Sequence, residues 1–233
     1  MFRQLRVIAQ IALLFLVSIS QMAVSSPTVK DSGKKVAIIK QEGSVAGRES
    51  IYVGSDAIRI DNPERNIVTI AKAPQWDVTT YNPARKMYFV AKVNKYHGQM
   101  THLFLFYGID MANYDFIPDH KITFLNRPAS VMKAVVSKKD FEEKSITDAL
   151  KLFVVADDST LPKAAMDVLS RHLSLPLTHK LPLRMDYLTE SHSKHAIDTA
   201  SWTTGIVVNT WFDLPGGYTL CAKESDVYFE DKF

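Results

Sequence analysis

Short apolar runs separated by turn signals dominate the chain from Val36 to Val93. "VAIIKQ" (36 to 41) is followed by "SIYVG" (50 to 54), "AIRID" (57 to 61), "IVTIA" (67 to 71), "WDVTTY" (76 to 81) and "KMYFVAKV" (86 to 93). Each is of strand length, and the separators Gly54-Ser55-Asp56, Asn62-Pro63-Glu64, Ala73-Pro74 and Asn82-Pro83 fix φ or remove a donor where the chain must reverse. In "AIRID" the alternation sets Ile58 and Ile60 on one side and Arg59 and Asp61 on the other, as expected for a sheet with one covered face. The pattern predicts an antiparallel meander.

Beyond it, "HGQMTHLFLFYGIDMANYD" (97 to 115) suits a buried strand or a short helix equally well. "ITFLNRPASVMKAVVSKK" (122 to 139) reads as two strands around a turn at Asn126 to Pro128, and "ALKLFVVADD" (149 to 158) as another. In "STLPKAAMDVLSRHLSLP" the positions Leu161, Ala165, Val168, Leu169 and His172 or Leu173 recur at helical spacing, with Ser159 or Thr160 to cap and Pro176 to terminate. Strand patterns return at 181 to 190, 200 to 212 and 218 to 224. Strands, a helix and more strands make an α+β domain, a large antiparallel sheet wrapped around a small helical element.

The first 25 residues have the layout of a secretory signal peptide: Arg3 and Arg6, an apolar block from Ile8 to Val17, then small residues, with cleavage expected near Ser25 to Pro27. Ser18, Ser20 and Gln21 interrupt the apolar run before the ~20 residues a membrane span needs. The expected organisation is a signal peptide over 1–25, a flexible segment over 26–34 and one domain over 35–233, periplasmic or secreted. Removing Arg3 and Arg6 with the leader brings the formal charge from +3 to +1, too nearly neutral to favour nucleic acid. The single cysteine, Cys221, has no intramolecular partner and reads as a small buried hydrophobe.

The residues "ESIYVGSDAIRIDNPERNIVTIAKAPQWDVTTYNPARKMYFVA" resemble the early meander of the periplasmic outer-membrane lipoprotein carrier family, with Arg59 and Tyr81-Asn82-Pro83 at the matching positions. "LKLFVVADDSTLPKAAMDVLSRHLSLP", "LPLRMDY" and "WFDLPGGYT" are similar, in the same order, to the second half of carrier-like domains. The resemblance implies a strongly curved antiparallel sheet, an incomplete β-barrel, with short helices covering its concave face and an apolar cavity between. It implies further that Arg59 faces that cavity and bonds the lid. A solvent-facing Arg59, with Ile58 and Ile60 turned inward, is the alternative. The region 95 to 120 has no match in the family's lid.

An acyl chain needs a concave apolar surface, and each buried methylene contributes about 0.8 kcal/mol. Trp76, Met87, Phe89, Phe104, Met132, Phe153, Trp202 and Trp211 are the candidates to line such a cavity with Arg59; the same residues can instead fill a solid core. "HSKH" sets His192 and His195 three apart, close to His179 and Asp198, a spacing that suits zinc on a helix or tight turn and an exposed polar loop otherwise. Asp157-Asp158 suits the field at a helix N-terminus. Leu214-Pro215-Gly216-Gly217-Tyr218 lacks the Lys-Ser/Thr of a phosphate loop and reads as a turn, and no serine lies in a G-x-S-x-G elbow.

The expected function is that of a non-enzymatic, monomeric binding protein without cofactor or bound metal. Its partner would be a lipid, a lipoprotein acyl chain or another apolar small molecule, with an envelope protein as a further partner. The alternatives are an interaction module with a filled cavity and a small metal-dependent hydrolase.

Overall fold

The computed structural model describes residues 33–44, 47–98, 114–136, 150–158, 160–175, 177–188 and 193–228. The chain divides into a unit Met1–Ser32, outside the described residues, and a unit Gly33–Phe233, to which everything below belongs. The described strands are β1 (Lys34–Gly43), β2 (Gly47–Val53), β3 (Ala57–Asn62), β4 (Ile67–Lys72), β5 (Val78–Asn82), β6 (Met87–Ala91), β7 (Tyr114–Phe124), β8 (Arg127–Val136), β9 (Leu150–Ala156), β10 (Pro182–Leu188), β11 (Ser193–Val207) and β12 (Thr219–Leu220). The helices are α1 (Lys163–His172) and α2 (Ser225–Tyr228). The strands form one open 12-stranded sheet in the order β12-β6-β5-β4-β3-β2-β1-β11-β10-β9-β8-β7, antiparallel throughout except where β12 joins β6.

Two Asn-Pro turns shape the meander. Asn62 Oδ1 accepts the amide of Arg65 at 3.1 Å, and Asn82 Oδ1 accepts those of Ala84 and Arg85 at 3.0 and 3.1 Å. Asn66 (φ 53°) and Lys86 (φ 53°) then complete the reversals in the left-handed region. An asparagine side chain standing in for a backbone acceptor is why this dipeptide makes a tight turn. With the oxygen so engaged, each side-chain nitrogen donates on the concave face, Asn62 to Glu49 and Asn82 to the Val227 carbonyl.

Inward alternation builds the core: Ile39, Ile51, Val53, Ile58 and Ile60 meet Ala165, Met166, Val168 and Leu169 of α1 in one buried cluster. β4 is buried on both faces because a strap formed by residues 208–218 crosses the convex side, packing Leu214 and Tyr218 on Val68, Ile70 and Tyr81. That double burial accounts for the unbroken apolar run "IVTIA".

Several elements depart from the sequence pattern. β7 starts at Tyr114, with residues 117 to 121 exposed, because it is the last strand of the sheet and neither face there is covered. Pro118 is tolerated in such a strand, where a missing amide breaks no ladder on the outer side. β11 starts at Ser193, so Ser193 to His195 of the polar "HSKH" run belong to a strand rather than a loop. The strand expected over 218 to 224 shrinks to two residues and gives way to α2.

Ser159 lies outside the described residues, and Thr160 does not cap α1. Its N-cap is Pro162 without a side-chain bond, while Asp158 Oδ1 accepts the Thr160 amide at 2.8 Å. The helix stops at His172 because Ser174 turns left-handed (φ 52°) and the Leu175 amide returns to the Ser170 carbonyl at 2.7 Å. This is the Schellman arrangement, reached before Pro176. Among the described residues no helix is long and apolar enough to cross a membrane.

Candidate functional site: the concave face

The concave face has two parts. Its centre, over β2 to β5, is filled by α1, whose Ala165, Val168 and Leu169 are fully buried, as is Leu173 just after it. On the β7–β8 flank α1 leaves a cleft of about 380 Å³ lined by Phe116, Pro118, Met132 and Leu177 with Asp115, Thr178 and Lys180. Phe116 packs edge-on against Phe153 with ring centroids 5.1 Å apart, which joins the cleft wall to the core. Leu177, on the cleft wall, is 44% exposed.

A charged node closes the cleft's lower side. Asp157 accepts Lys121 Nζ at 2.7 Å, Lys180 Nζ at 2.8 Å and Ser130 Oγ at 2.8 Å. Burial pushes its carboxyl up, but the hydrogen bonds from Lys121, Lys180 and Ser130 win and hold it well below the ordinary carboxylate range. Asp157 and Asp158 therefore serve the β7–β8 hairpin and the segment after α1, with Asp158 on Arg127 at 3.3 Å, rather than the helix field expected from sequence. A depressed acid stabilises the fold above its unfolded value and loses that contribution as pH falls through the folded one. Asp157→Asn is accordingly expected to lower the urea midpoint at pH 7 and to flatten its decline below about pH 4. An acid limb identical to that of the parent protein would count against the node.

Under the C-terminal turn of α1 lies a polar network. His172 Nε2 is 2.9 Å from Glu49 Oε1 and His172 Nδ1 is 2.9 Å from the Tyr96 hydroxyl. All three are buried: Glu49 is 4%, His172 3% and Tyr96 1% exposed. Asn62 Nδ2 donates to the same glutamate oxygen at 3.3 Å. A neutral imidazole satisfies every partner, with Nε2–H donating to the carboxylate and Nδ1 accepting from the phenol. Burial raises the Tyr96 phenol, so it stays a donor. β2 supplies Glu49 in phase with Ile51 and Val53, and α1 supplies His172 on its apolar stripe, so both are legible as inward positions. Tyr96 follows the 3-10 turn Val93–Lys95 and carries no periodic signal.

The residues proposed from sequence divide between the two faces. Met132 and Phe153 belong to the concave core and Trp76, Phe89 and Trp202 pack against it, while Met87 and Phe89 reach a smaller cluster around Ile67, Cys221 and Val227. Arg127 stacks over the Trp202 ring at 4.1 Å. Arg59 and Trp211 lie on the convex face, because Ile58 and Ile60 take the inward positions of β3. Arg59 there donates to Asp61 Oδ1 at 2.6 Å and to the Trp211 carbonyl at 2.8 Å, and its guanidinium lies 4.2 Å from the Trp211 ring. It pins the strap rather than a lid. Phe104 lies outside the described residues.

His195 and His179 have separate partners, Asp186 at 2.7 Å and Asp167, and His192 lies outside the described residues. Among the described residues no group of three His, Cys, Asp or Glu side chains is placed to hold a metal ion. His195 borders a convex-face depression of about 650 Å³ rimmed by Arg48, Glu64, Lys194 and Asp198. Ser44 Oγ there donates to the His195 main-chain carbonyl at 2.9 Å and does not engage its ring. Cys221 is buried and free, and burial raises its thiol.

An open, mostly antiparallel sheet with short helices on its concave side defines the fold class. Among solved structures, the chain is similar to an uncharacterized conserved protein from Thermus thermophilus at 9% identity and a TM-score of 0.34, covering 82% of this chain and 92% of that one. It is similar to MucB, solved in complex with MucA(peri), at 11% identity and a TM-score of 0.33, covering 79% of this chain and 55% of that one. A domain from Vibrio parahaemolyticus named for outer membrane lipoprotein sorting shows 12% identity and a TM-score of 0.28 over 74% of this chain and 85% of that one. No family model matches the sequence. No curated protein matches it.

Proposed function

We propose that this chain is an exported, non-enzymatic binding protein that holds an acyl chain or a similar apolar ligand against the β7–β8 flank of its half-barrel. The observation that carries the reading is the cleft of about 380 Å³ opening directly off the apolar core between Phe116, Pro118, Met132 and Leu177. Its volume falls within the about 300–1,000 Å³ of small-molecule sites, and its lining is mixed, setting the apolar Phe116, Pro118, Met132 and Leu177 beside the polar Asp115, Thr178 and Lys180. Sequestering each methylene there contributes about 0.8 kcal/mol, so a chain of modest length suffices for tight binding. Export rests on the leader-like first 25 residues.

The test is native mass spectrometry of the purified protein followed by titration with a fluorescent fatty acid. One-to-one uptake is expected, weakened at least about tenfold by Met132→Glu, since the acyl chain loses an apolar wall and must desolvate a carboxylate to enter. No uptake by the parent protein would overturn the proposal. It would favour a second reading, which the filled centre of the concave face supports: an interaction module whose partner is a protein.

A further inference from the structure

The C-terminal residues contact the sheet in the manner of a bound peptide. After the convex strap, β12 adds to the edge of β6 as a parallel strand, with the Thr219 and Cys221 amides donating to the carbonyls of Lys86 and Tyr88 at 2.9 and 2.8 Å. The chain then turns onto the concave face as α2. Asn82 Nδ2 donates to the Val227 carbonyl at 3.2 Å and an Arg85 guanidinium nitrogen to the Asp226 carbonyl at 2.5 Å. Cys221 and Val227 fill an apolar floor made by Ile67, Met87 and Phe89. Main-chain pairing to a sheet edge, side-chain donors aimed at main-chain carbonyls and small pockets for two side chains are together how a sheet recognises an extended peptide.

The strand part of the attachment is short, and the buried Cys221 and Val227 supply the rest. β12 has two residues against the five of β6 and pairs only with Met87 and Tyr88, so a longer strand would find more of the edge to pair with. Thr219 and Leu220 are exposed, Leu220 at 59%. The segment also has a hinge: Gly217 is left-handed (φ 82°), and a Cβ at Gly216 or Gly217 would meet nothing within 4 Å.

We propose that the β6 edge and the floor beside it form a peptide-binding groove that residues 219–228 of this chain occupy in cis. Its exogenous occupant is a segment of another protein that runs extended and parallel to β6 and then turns onto the concave face, with small apolar side chains at the Cys221 and Val227 positions. The groove is separate from the β7–β8 cleft and does not depend on it.

The test uses the full chain. In amide hydrogen exchange on the parent protein, the amides of 219–228 are expected to exchange at least about a hundredfold faster than those of β3 and β4, through local opening; equal protection would overturn the proposal. In fluorescence anisotropy, a labelled peptide of residues 217–228 is expected to bind Val227→Asp at least about tenfold more tightly than the parent protein, and Asn82→Ala with Arg85→Ala in that background should abolish the gain. A peptide with aspartate at both apolar positions should not bind. No difference between Val227→Asp and the parent, or equal binding of the aspartate peptide, would overturn it.

Discussion

Replacing His172 by leucine is expected to cost about 3–5 kcal/mol of stability, the range for removing one partner of a buried ion-paired or hydrogen-bonded couple. The loss does not come from packing, because leucine fills much of the imidazole's space. It comes from Glu49, which is 4% exposed and would lose the imidazole donor while keeping the longer bond from Asn62. The Tyr96 hydroxyl would be less affected, since Thr69 and Thr80 are within its reach. The double variant Glu49→Leu with His172→Leu is expected to recover most of the loss, because an apolar pair of similar volume is often as stable as a buried polar one. Urea denaturation of the two single variants and the double variant completes the cycle. A cost below about 1 kcal/mol for His172→Leu, or a double variant as weak as the sum of the singles, would show that the network does not hold α1 to the sheet.

Gly98→Ala is expected to be nearly as damaging, for a steric reason. A Cβ there would lie 2.1 Å from the His172 carbonyl oxygen, 2.4 Å from its Cα and 2.5 Å from its carbonyl carbon. All are backbone atoms of α1, so no rotamer relieves the contact. The segment carrying Tyr96 would have to lift, breaking the Gly98 amide bond to the Arg171 carbonyl at 3.2 Å and straining the Tyr96–His172 bond. The expected loss lies at or above the top of the about 1–3 kcal/mol usual for overpacking. Gly216→Ala is the control: nothing lies within 4 Å of its Cβ, and a change within about 0.5 kcal/mol is expected. If the two variants melt alike, residues 96–98 do not clamp the helix.

How much of this was legible follows from where each signal originates. The meander could be read because the inward strand faces are mostly apolar and the turns carry their own Pro or Gly signals. β7 and the start of β11 could not, since Pro118 to Lys121 and Lys194 to His195 are exposed and lack the alternation that burial imposes. The convex strap was hidden for a different reason. "NTWFDLPGGYTL" reads as strand and turn, and only tertiary placement shows Trp211, Leu214 and Tyr218 lying across the back of the sheet, which moves Arg59 from the lid side to the strap. Glu49 and His172 were in phase with their apolar neighbours, and a charged residue in such a register is itself the sign of a buried pair. The cleft depends on Leu177, in the segment after α1, lining the same space as Phe116 and Met132 of β7 and β8, a juxtaposition with no counterpart in local pattern.

The position of β1 has a consequence for how the molecule is made. β1 lies at the middle of the sheet, with β2 on one side and β11 on the other, and Lys34 stands opposite Val207. As synthesis proceeds, the β1–β6 meander can form hairpins from local contacts, but one edge of β1 has no partner until β11 has emerged. Such distant pairing makes a high-contact-order topology, for which slow folding is the rule. For most of its synthesis the chain therefore displays an apolar strand edge, "VAIIK", of the kind that templates aggregation, and holding that edge apart is the natural task of a chaperone acting on this protein.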